Sequence, residues 1–342
     1  MDLQNFKKID SQNMHKIYED WPTIAKKYFE KEFKKIEISN INHIVFVGMG
    51  GSGALGDIFS SILSKTNLHV KVVKGYNLPK TINEKTLVVA ISVSGNTDET
   101  NKVLEIASQL NCKLIAFSSG GKMEKFCKER KIEFRKVRKY HSPRASFPSF
   151  LFAILNILSP IIPIEKKDIQ DTVKEMEKIK NKISIENISK DNFAISLAKW
   201  ISDIPLIYYP WGLECVAIRF KSSLQENSKT HVIVEDVVET CHNGVVAWEK
   251  KSKIKPIMIR GLNDHIKTVE KFRILSDYFN ENDIEFKEIL SIEGNILTKI
   301  ISLIYILDYV SIYKAMLDGI DPTPVKTIEY IKNKVERQNK ND

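Results

Sequence analysis

The stretch Leu87–Thr100, LVVAISVSGNTDET, decides how this chain is read. It opens on a short apolar run, Leu87-Val88-Val89-Ala90-Ile91, too brief for an ordinary helix and rich in β-branched residues, which predicts a buried strand. Ser92, Ser94, Gly95, Asn96 and Thr97 then place hydroxyls, an amide and one flexible backbone position within six residues. Asp98, Glu99 and Thr100 follow and open a helix through Leu104-Glu105-Ile106, since acidic residues in a first turn suit the macrodipole. A strand, a hydroxyl-rich loop and a helix N-terminus make an anion cradle: backbone N–H groups point into the loop, the dipole favours negative charge and the hydroxyls add donors. No residue of the loop is cationic, so the expected ligand is a phosphate held by neutral donors. The same composition also serves a plain turn. What favours the cradle is its place at the C-terminal end of a strand, where α/β sheets hold their ligands.

Upstream, residues 1–40 read as helical and polar-amphipathic, with Trp21, Ile24, Tyr28 and Phe29 as core contacts. Ile44–Val47 is a strand, followed by Gly48-Met49-Gly50-Gly51-Ser52-Gly53 and a helix through Ile58, Phe59, Ile62 and Leu63. Val70–Val73, Lys113–Phe117 and Ile132–Val137 complete a strand set, with a short helix near Met123–Cys127. Strands alternating with helices predict a doubly wound, mostly parallel sheet. Tyr140–Pro148 (YHSPRASFP) is irregular and marks a boundary. Helix Phe150–Leu158 then leads to the charged stretch Glu165–Lys190. The alternation resumes with helix Phe193–Trp200, strand Pro205–Tyr209 and helix Leu213–Gln225. Strands His231–Glu235, Pro256–Arg260 and Phe286–Leu290 follow, with helix His265–Phe279 between the last two. Helices Ile296–Leu317 and Thr323–Val335 close the chain before a polar, frayed tail, Glu336–Asp342. The expected organisation is α/β, two copies of one architecture covering residues 1–150 and 151–342.

The 342 residues carry a net charge of +9, spread along the chain and driven by lysine. No dense Lys/Arg tract with interleaved aromatics is present, which argues against nucleic acid as a partner, and a basic balance suits a small anionic substrate. Cys112, Cys127, Cys215 and Cys241 form no CxxC pair, so neither a disulfide framework nor a zinc site is expected. The first residues, MDLQNFKKIDSQNMHK, contain no apolar h-region. The most apolar run, Ile300–Val310, is about half a membrane span and is interrupted by Asp308, which makes it a core helix. A cytoplasmic location with no membrane partner is expected.

Gly48-Met49-Gly50-Gly51-Ser52-Gly53 also matches GxGxxG between a strand and a helix, the pattern of a dinucleotide site. A nucleotide-dependent oxidoreductase is therefore a rival reading. Such a site wants Asp or Glu at the end of the second strand. Here Val70–Val73 runs into Lys74-Gly75-Tyr76-Asn77, without an acid, although Lys74 could answer a 2′-phosphate. Ser52 and the second hydroxyl loop fit a monophosphate better.

With both loops in view, the chain resembles the sugar isomerase (SIS) domain family, and more closely the bifunctional phosphoglucose/phosphomannose isomerases. The residues that carry the resemblance are Gly48–Ser52, Ser92–Thr97, Pro143-Arg144-Ala145, Phe220-Lys221, Glu226-Asn227, His242-Asn243 and Gly319–Val325. Gly53-Ala54-Leu55-Gly56-Asp57 departs from the family's more usual Ala-Ile-Gly-Gly-Asp. The resemblance implies two SIS-type domains, a hexose 6-phosphate substrate, an aldose–ketose isomerisation through a cis-enediol, and no metal or redox cofactor.

The resemblance also assigns roles. Isomerisation moves a proton between C1 and C2 and needs a carboxylate base. Glu226 takes that role, at the end of an apolar-faced helix where partial burial would raise its pKa. His242, in a turn after a strand, would open the sugar ring, since imidazole titrates near neutral pH. In the family this histidine reaches the neighbouring subunit's site, which implies a homodimer. Arg144 would stabilise negative charge on O1 and O2. A lysine near the C-terminus completes the set: Lys332 is the choice, with Lys326 and Lys334 competing. Gly51, Ser52, Ser92, Ser94 and Thr97 would bind the phosphate. A threonine linked to mannose activity is either Thr323 or Thr327. Two other readings stay open: a non-catalytic phosphosugar-binding sensor, and an amino-sugar isomerase or synthase.

Overall fold

Strands β1 (His43–Val47), β2 (His69–Val73), β3 (Thr86–Ser92), β4 (Lys113–Ser118) and β5 (Glu133–Lys136) form one parallel sheet in the order β2-β1-β3-β4-β5. The structure is a computed structural model and describes residues 6, 8–188 and 191–338. Every residue of β1 and β3 is buried, which is why the sequence shows them as unbroken apolar runs rather than alternating ones. β1 pairs with β2 on one side (Ile44 opposite Val70) and with β3 on the other (Ile44 opposite Leu87). The chain therefore reverses direction across the sheet at β1/β3, and the loops leaving these two strands face each other.

Strands β6 (Pro205–Tyr209), β7 (Ile233–Asp236), β8 (Lys255–Arg260) and β9 (Lys287–Leu290) form a second parallel sheet in the order β7-β6-β8-β9. This is the order of the first sheet without its last strand. Each strand expected from the sequence is present, with ends shifted by a few residues. The helices expected at Met123–Cys127, Phe150–Leu158 and Leu213–Gln225 run over Gly121–Arg130, Phe147–Ile157 and Glu214–Ser223. The closing helix is Lys326–Gln338, so part of the expected frayed tail is helical and residues 339–342 lie outside the described residues.

Helix Ile296–Leu317 is long and apolar enough to cross a membrane by composition, yet it is buried along most of its length in the protein core. It packs against helices Lys166–Ile183, Phe193–Trp200 and Glu214–Ser223. One continuous apolar core runs from the first helices to this one and takes residues from both halves of the chain. At its centre Trp21 is fully buried, stacked on Tyr18 at 4.5 Å and on Tyr305 at 5.6 Å between ring centroids. Its indole N–H donates to the Ala145 carbonyl at 3.0 Å, so this aromatic cluster supports the loop that carries Arg144.

The expectation of helix throughout residues 1–40 is corrected. Helices cover Met14–Glu19 and Trp21–Glu30, but residues 32–42 are irregular. Tertiary hydrogen bonds override helix propensity there. Asn156 donates through Nδ2 to the Phe29 and Lys31 carbonyls at 2.6 and 3.0 Å, capping the helix end. Lys35 Nζ donates to the Asn156 carbonyl at 2.7 Å, and Ile36 N–H to the Ile157 carbonyl at 3.0 Å. The segment is thereby tied along the end of helix Phe147–Ile157. Residues 1–5 and 7 lie outside the described residues.

Candidate active site

The two hydroxyl loops meet at the β1/β3 switch. Ser52, in the first turn of helix Gly51–Leu63, accepts the Val93 N–H at 3.4 Å and so links the loops. Ser92 Oγ accepts the Gly95 N–H at 3.0 Å and lies 2.9 Å from Thr97 Oγ1. Ser94 Oγ accepts the Asn96 N–H at 3.2 Å. Ser52 and Ser92 are buried, whereas Ser94 and Thr97 are half-buried and open to an approaching ligand. Gly95 has φ +72°, and a Cβ there would lie 1.7 Å from the Gly120 carbonyl oxygen, so the turn requires glycine.

Gly51 opens the helix beside Arg144: a Cβ at Gly51 would stand 3.6 Å from Arg144 Cα and 3.7 Å from Arg219 Nη1. The Arg144 loop is pinned by Ser146, whose hydroxyl donates to the Tyr140 carbonyl at 2.8 Å and accepts the Tyr140 N–H at 2.9 Å. Arg144 itself is 3% exposed, and all three of its side-chain nitrogens are engaged. Nε donates to Asn227 Oδ1 at 2.7 Å, Nη1 to Glu226 Oε2 at 3.1 Å, and Nη2 to the Pro322 and Thr323 carbonyls at 2.6 and 3.2 Å. Sequence positions 144, 226–227 and 322–323 therefore converge on one guanidinium.

Glu226 and Asn227 reach the same arginine because the chain changes helix type. Helix Glu214–Ser223 continues into a π-turn, Leu224–Ser228, which Lys229 ends with φ +58°. Such widened turns recur at functional sites. The carboxylate of Glu226 faces a guanidinium rather than an apolar wall, and its side chain is 26% exposed. Among the described residues Oε1 accepts no hydrogen bond, leaving one carboxylate oxygen free beside the water-facing side of the ion pair.

Beneath Arg144 lies a second, wholly buried pair. Arg219 Nη2 donates to Asp308 Oδ2 at 2.6 Å and also to the Arg144 carbonyl at 2.9 Å. Burial disfavours the Arg219 charge, but Asp308 more than restores it and the net shift is upward. Ser223 Oγ donates to Asp308 Oδ1 at 2.5 Å. Ser311 Oγ donates to the Asp308 carbonyl at 2.5 Å and accepts from Asn227 Nδ2 at 2.8 Å. The path from Arg144 through Asn227, Ser311, Asp308 and Arg219 returns to Arg144, so the guanidinium is held at both its side chain and its backbone. Sequence reasoning missed Arg219; the signal was Asp308, a charge inside the most apolar run of the chain, which needs a buried partner.

Of the C-terminal candidates, Thr323 is at the site. Its carbonyl accepts from Arg144, and its Oγ1 stands 3.5 Å from His141 Nε2. Thr327, Lys326, Lys332 and Lys334 are exposed, and no hydrogen bond joins them to Arg144 or Glu226. The lysine that does approach is Lys229, unremarked in the sequence: its Nζ donates to the Glu226 carbonyl at 2.6 Å and the Pro324 carbonyl at 2.9 Å, and burial pulls its pKa down. His242 is exposed, in the turn between helix Val237–Thr240 and Gly244–Glu249, with no hydrogen bond to Arg144 or Glu226 within the chain. Lys74, which could have answered a 2′-phosphate, is paired with Asp57 at 2.6 Å. Among the described residues no group of three or more His, Cys, Asp or Glu side chains could hold a metal ion.

Residues 37–152 match the SIS domain family, and residues 190–335 match the bacterial phospho-glucose isomerase C-terminal SIS domain family. Over 310 residues the chain is 32% identical to a bifunctional phosphoglucose/phosphomannose isomerase of Caldicellulosiruptor bescii, an alignment covering 88% of this chain and 91% of that one. The chain belongs to the bifunctional phosphoglucose/phosphomannose isomerase family. A second family member, from Aquifex aeolicus, is 30% identical over 93% of this chain and 95% of its own. Among solved structures, a hypothetical protein from Thermus thermophilus superposes with TM-score 0.76 at 14% identity, covering 98% of this chain and 94% of that one. The fold of the family, two SIS domains each built on a parallel sheet flanked by helices, is the fold described above.

Proposed function

We propose that this chain interconverts glucose 6-phosphate and mannose 6-phosphate with fructose 6-phosphate. The observation that carries the reading is the Arg144–Glu226 contact at 3.1 Å, set beside the hydroxyl loops. A phosphate held by Ser94, Thr97 and the N-terminal turn at Gly51-Ser52 would anchor the sugar remote from its reacting carbons, so that binding energy orients C1 and C2. Glu226 would remove the C2 proton of the aldose and return it to C1. The proton on O2 moves in exchange to O1, the C2–O bond becomes a carbonyl, and no external oxidant or reductant enters the balance. Arg144 would stabilise the enediolate charge between those steps.

His242 is proposed to open the ring from across a homodimer interface; its exposed turn, and a ring that makes no hydrogen bond among the described residues, support that placement. Residues 1–150 and 151–342 are taken as the two units, and the cytoplasm as the location. The test is turnover of fructose 6-phosphate by the purified protein, with glucose 6-phosphate and mannose 6-phosphate quantified separately and Glu226→Gln as control. Both products are expected, with turnover in the variant about 10²–10⁴-fold lower. Formation of glucose 6-phosphate alone would remove the dual specificity, and binding without turnover would favour the sensor reading.

A further inference from the structure

The second sheet has a switch point of its own. By strand order β6 stands where β1 stands in the first sheet, and β8 where β3 stands. In the first sheet the loops leaving those strands form the hydroxyl cradle. In the second they line a cavity of about 650 Å³, closed on one side by the C-terminal end of helix Gly51–Leu63. None of the Arg144–Glu226 residues lines it. Its volume is in the range of cavities that hold small metabolites.

The lining differs from the cradle in its charge. Lys65 comes from the first half of the chain and Lys299 from the second, and among the described residues neither has a carboxylate partner. Lys299 donates only to the neutral Asn263 side chain. The Lys65 ammonium lies 6.0 Å from the centroid of the Trp211 ring, which is 65% exposed at the cavity. One carboxylate is present, Asp264, which accepts the Gly261 N–H at 2.8 Å; burial raises its pKa, while the Arg260 and Lys299 charges act to lower it. Two lysines without a salt bridge among the described residues and a solvent-exposed aromatic ring, at the position where a parallel sheet binds ligands, suit an anion attached to a ring.

We propose that this cavity is a second ligand site, taking a phosphorylated small metabolite with its phosphate between Lys65 and Lys299 and its ring on Trp211. The inference rests on the fold and on these side chains, independently of the isomerase reading. The test uses inorganic pyrophosphate, titrated calorimetrically into the full-length protein at low ionic strength, where exposed charges are least screened. The wild type is expected to show a saturable site that weakens by about tenfold or more in the Lys65→Ala/Lys299→Ala double variant, the loss of charge-assisted bonds. Both lysines lie outside the proposed catalytic machinery, so fructose 6-phosphate turnover without pyrophosphate is expected to be unchanged in that variant. Equal affinity in wild type and variant would place pyrophosphate elsewhere, and no saturable heat would mean no site; either result overturns the proposal.

Discussion

The Nε of Arg144 lies 2.7 Å from Oδ1 of Asn227, and this bond fixes which way the amide points. Because Nε can only donate, Asn227 must present its oxygen to Arg144 and its NH₂ to Ser311. The neighbouring residue, Glu226, is then left facing the outer nitrogen of the same guanidinium. Asn227→Asp places a second carboxylate beside Glu226 and removes the NH₂ that donates to Ser311. Turnover of fructose 6-phosphate should fall by about tenfold or more, because the new carboxylate competes with Glu226 for the Arg144 guanidinium. Turnover at the wild-type rate would contradict a role for the Arg144–Glu226 contact in the reaction.

Arg144→Lys retains charge but not the fork. One ammonium cannot reach Asn227, Glu226 and the Pro322 carbonyl together. Turnover of fructose 6-phosphate is expected to fall by about 10²–10³-fold, as when a fixed donor to developing charge is lost. KM should change much less, because the substitution leaves intact the hydroxyl loops proposed to hold the phosphate. Steady-state kinetics separate the two.

Asp308→Ala leaves Arg219 charged and unpaired in the core, where both side chains are at most 2% exposed. The expected loss is about 3–5 kcal/mol of stability, measured as the shift in urea midpoint. An Arg219→Met/Asp308→Leu double variant should recover most of that loss, because it removes the buried charge. It should still lower turnover, since the Arg144 carbonyl loses its donor.

Two glycines separate backbone freedom from space. Gly212 has φ +91° with nothing within 4 Å of where a Cβ would stand, so Gly212→Ala is expected to cost only about 1–2 kcal/mol. Gly95→Ala would collide with the Gly120 carbonyl and must displace the loop. Its expected signature is a KM for fructose 6-phosphate raised by at least tenfold, with Gly212→Ala near wild type.

The Asp10 carboxyl is buried, which alone would raise its pKa, but bonds from the His15 ring and from the His15 and Met14 N–H groups outweigh this and hold it below the usual value. A depressed carboxyl adds stability that is complete above the unfolded value, about 3.9, and is lost as pH falls through the folded one. Unfolding midpoints of the wild type should therefore drop below about pH 4. Asp10→Asn should be less stable near neutrality and show a flatter acid limb.

Much of the fold was legible because buried parallel strands are written as short β-branched runs ended by Gly, Ser or Asn, as at Val89-Ala90-Ile91-Ser92. The extension of residues 32–42 was not, because its cause is a set of contacts with Asn156 and Ile157 far along the chain. At the site, Arg144, Glu226 and Thr323 came together, and the hydroxyl loops adjoin them. Arg219 was hidden for a different reason. Asp308 stood out as a charge among apolar residues, but its partner lies 89 positions away and nothing local marks which arginine answers it. The lysine choice also turned on tertiary placement: Lys229 sits on the Glu226 turn, while the last helix holds its lysines in solvent.

The contact between Tyr305 and Tyr18 joins residues 287 positions apart, through a hydroxyl donating to a backbone carbonyl at 2.8 Å. A ribosome adding about 5–20 residues per second makes the second residue roughly 15–60 s after the first. Through that interval one face of Trp21 stays uncovered, since the ring that stacks on it belongs to helix Ile296–Leu317. Helix Ile296–Leu317 thus closes the aromatic cluster begun at Trp21, and synthesis of this chain exposes a sticky aromatic surface until that helix has been made. Cellular yield should depend on holding chaperones more than that of a chain whose domains each close as they emerge.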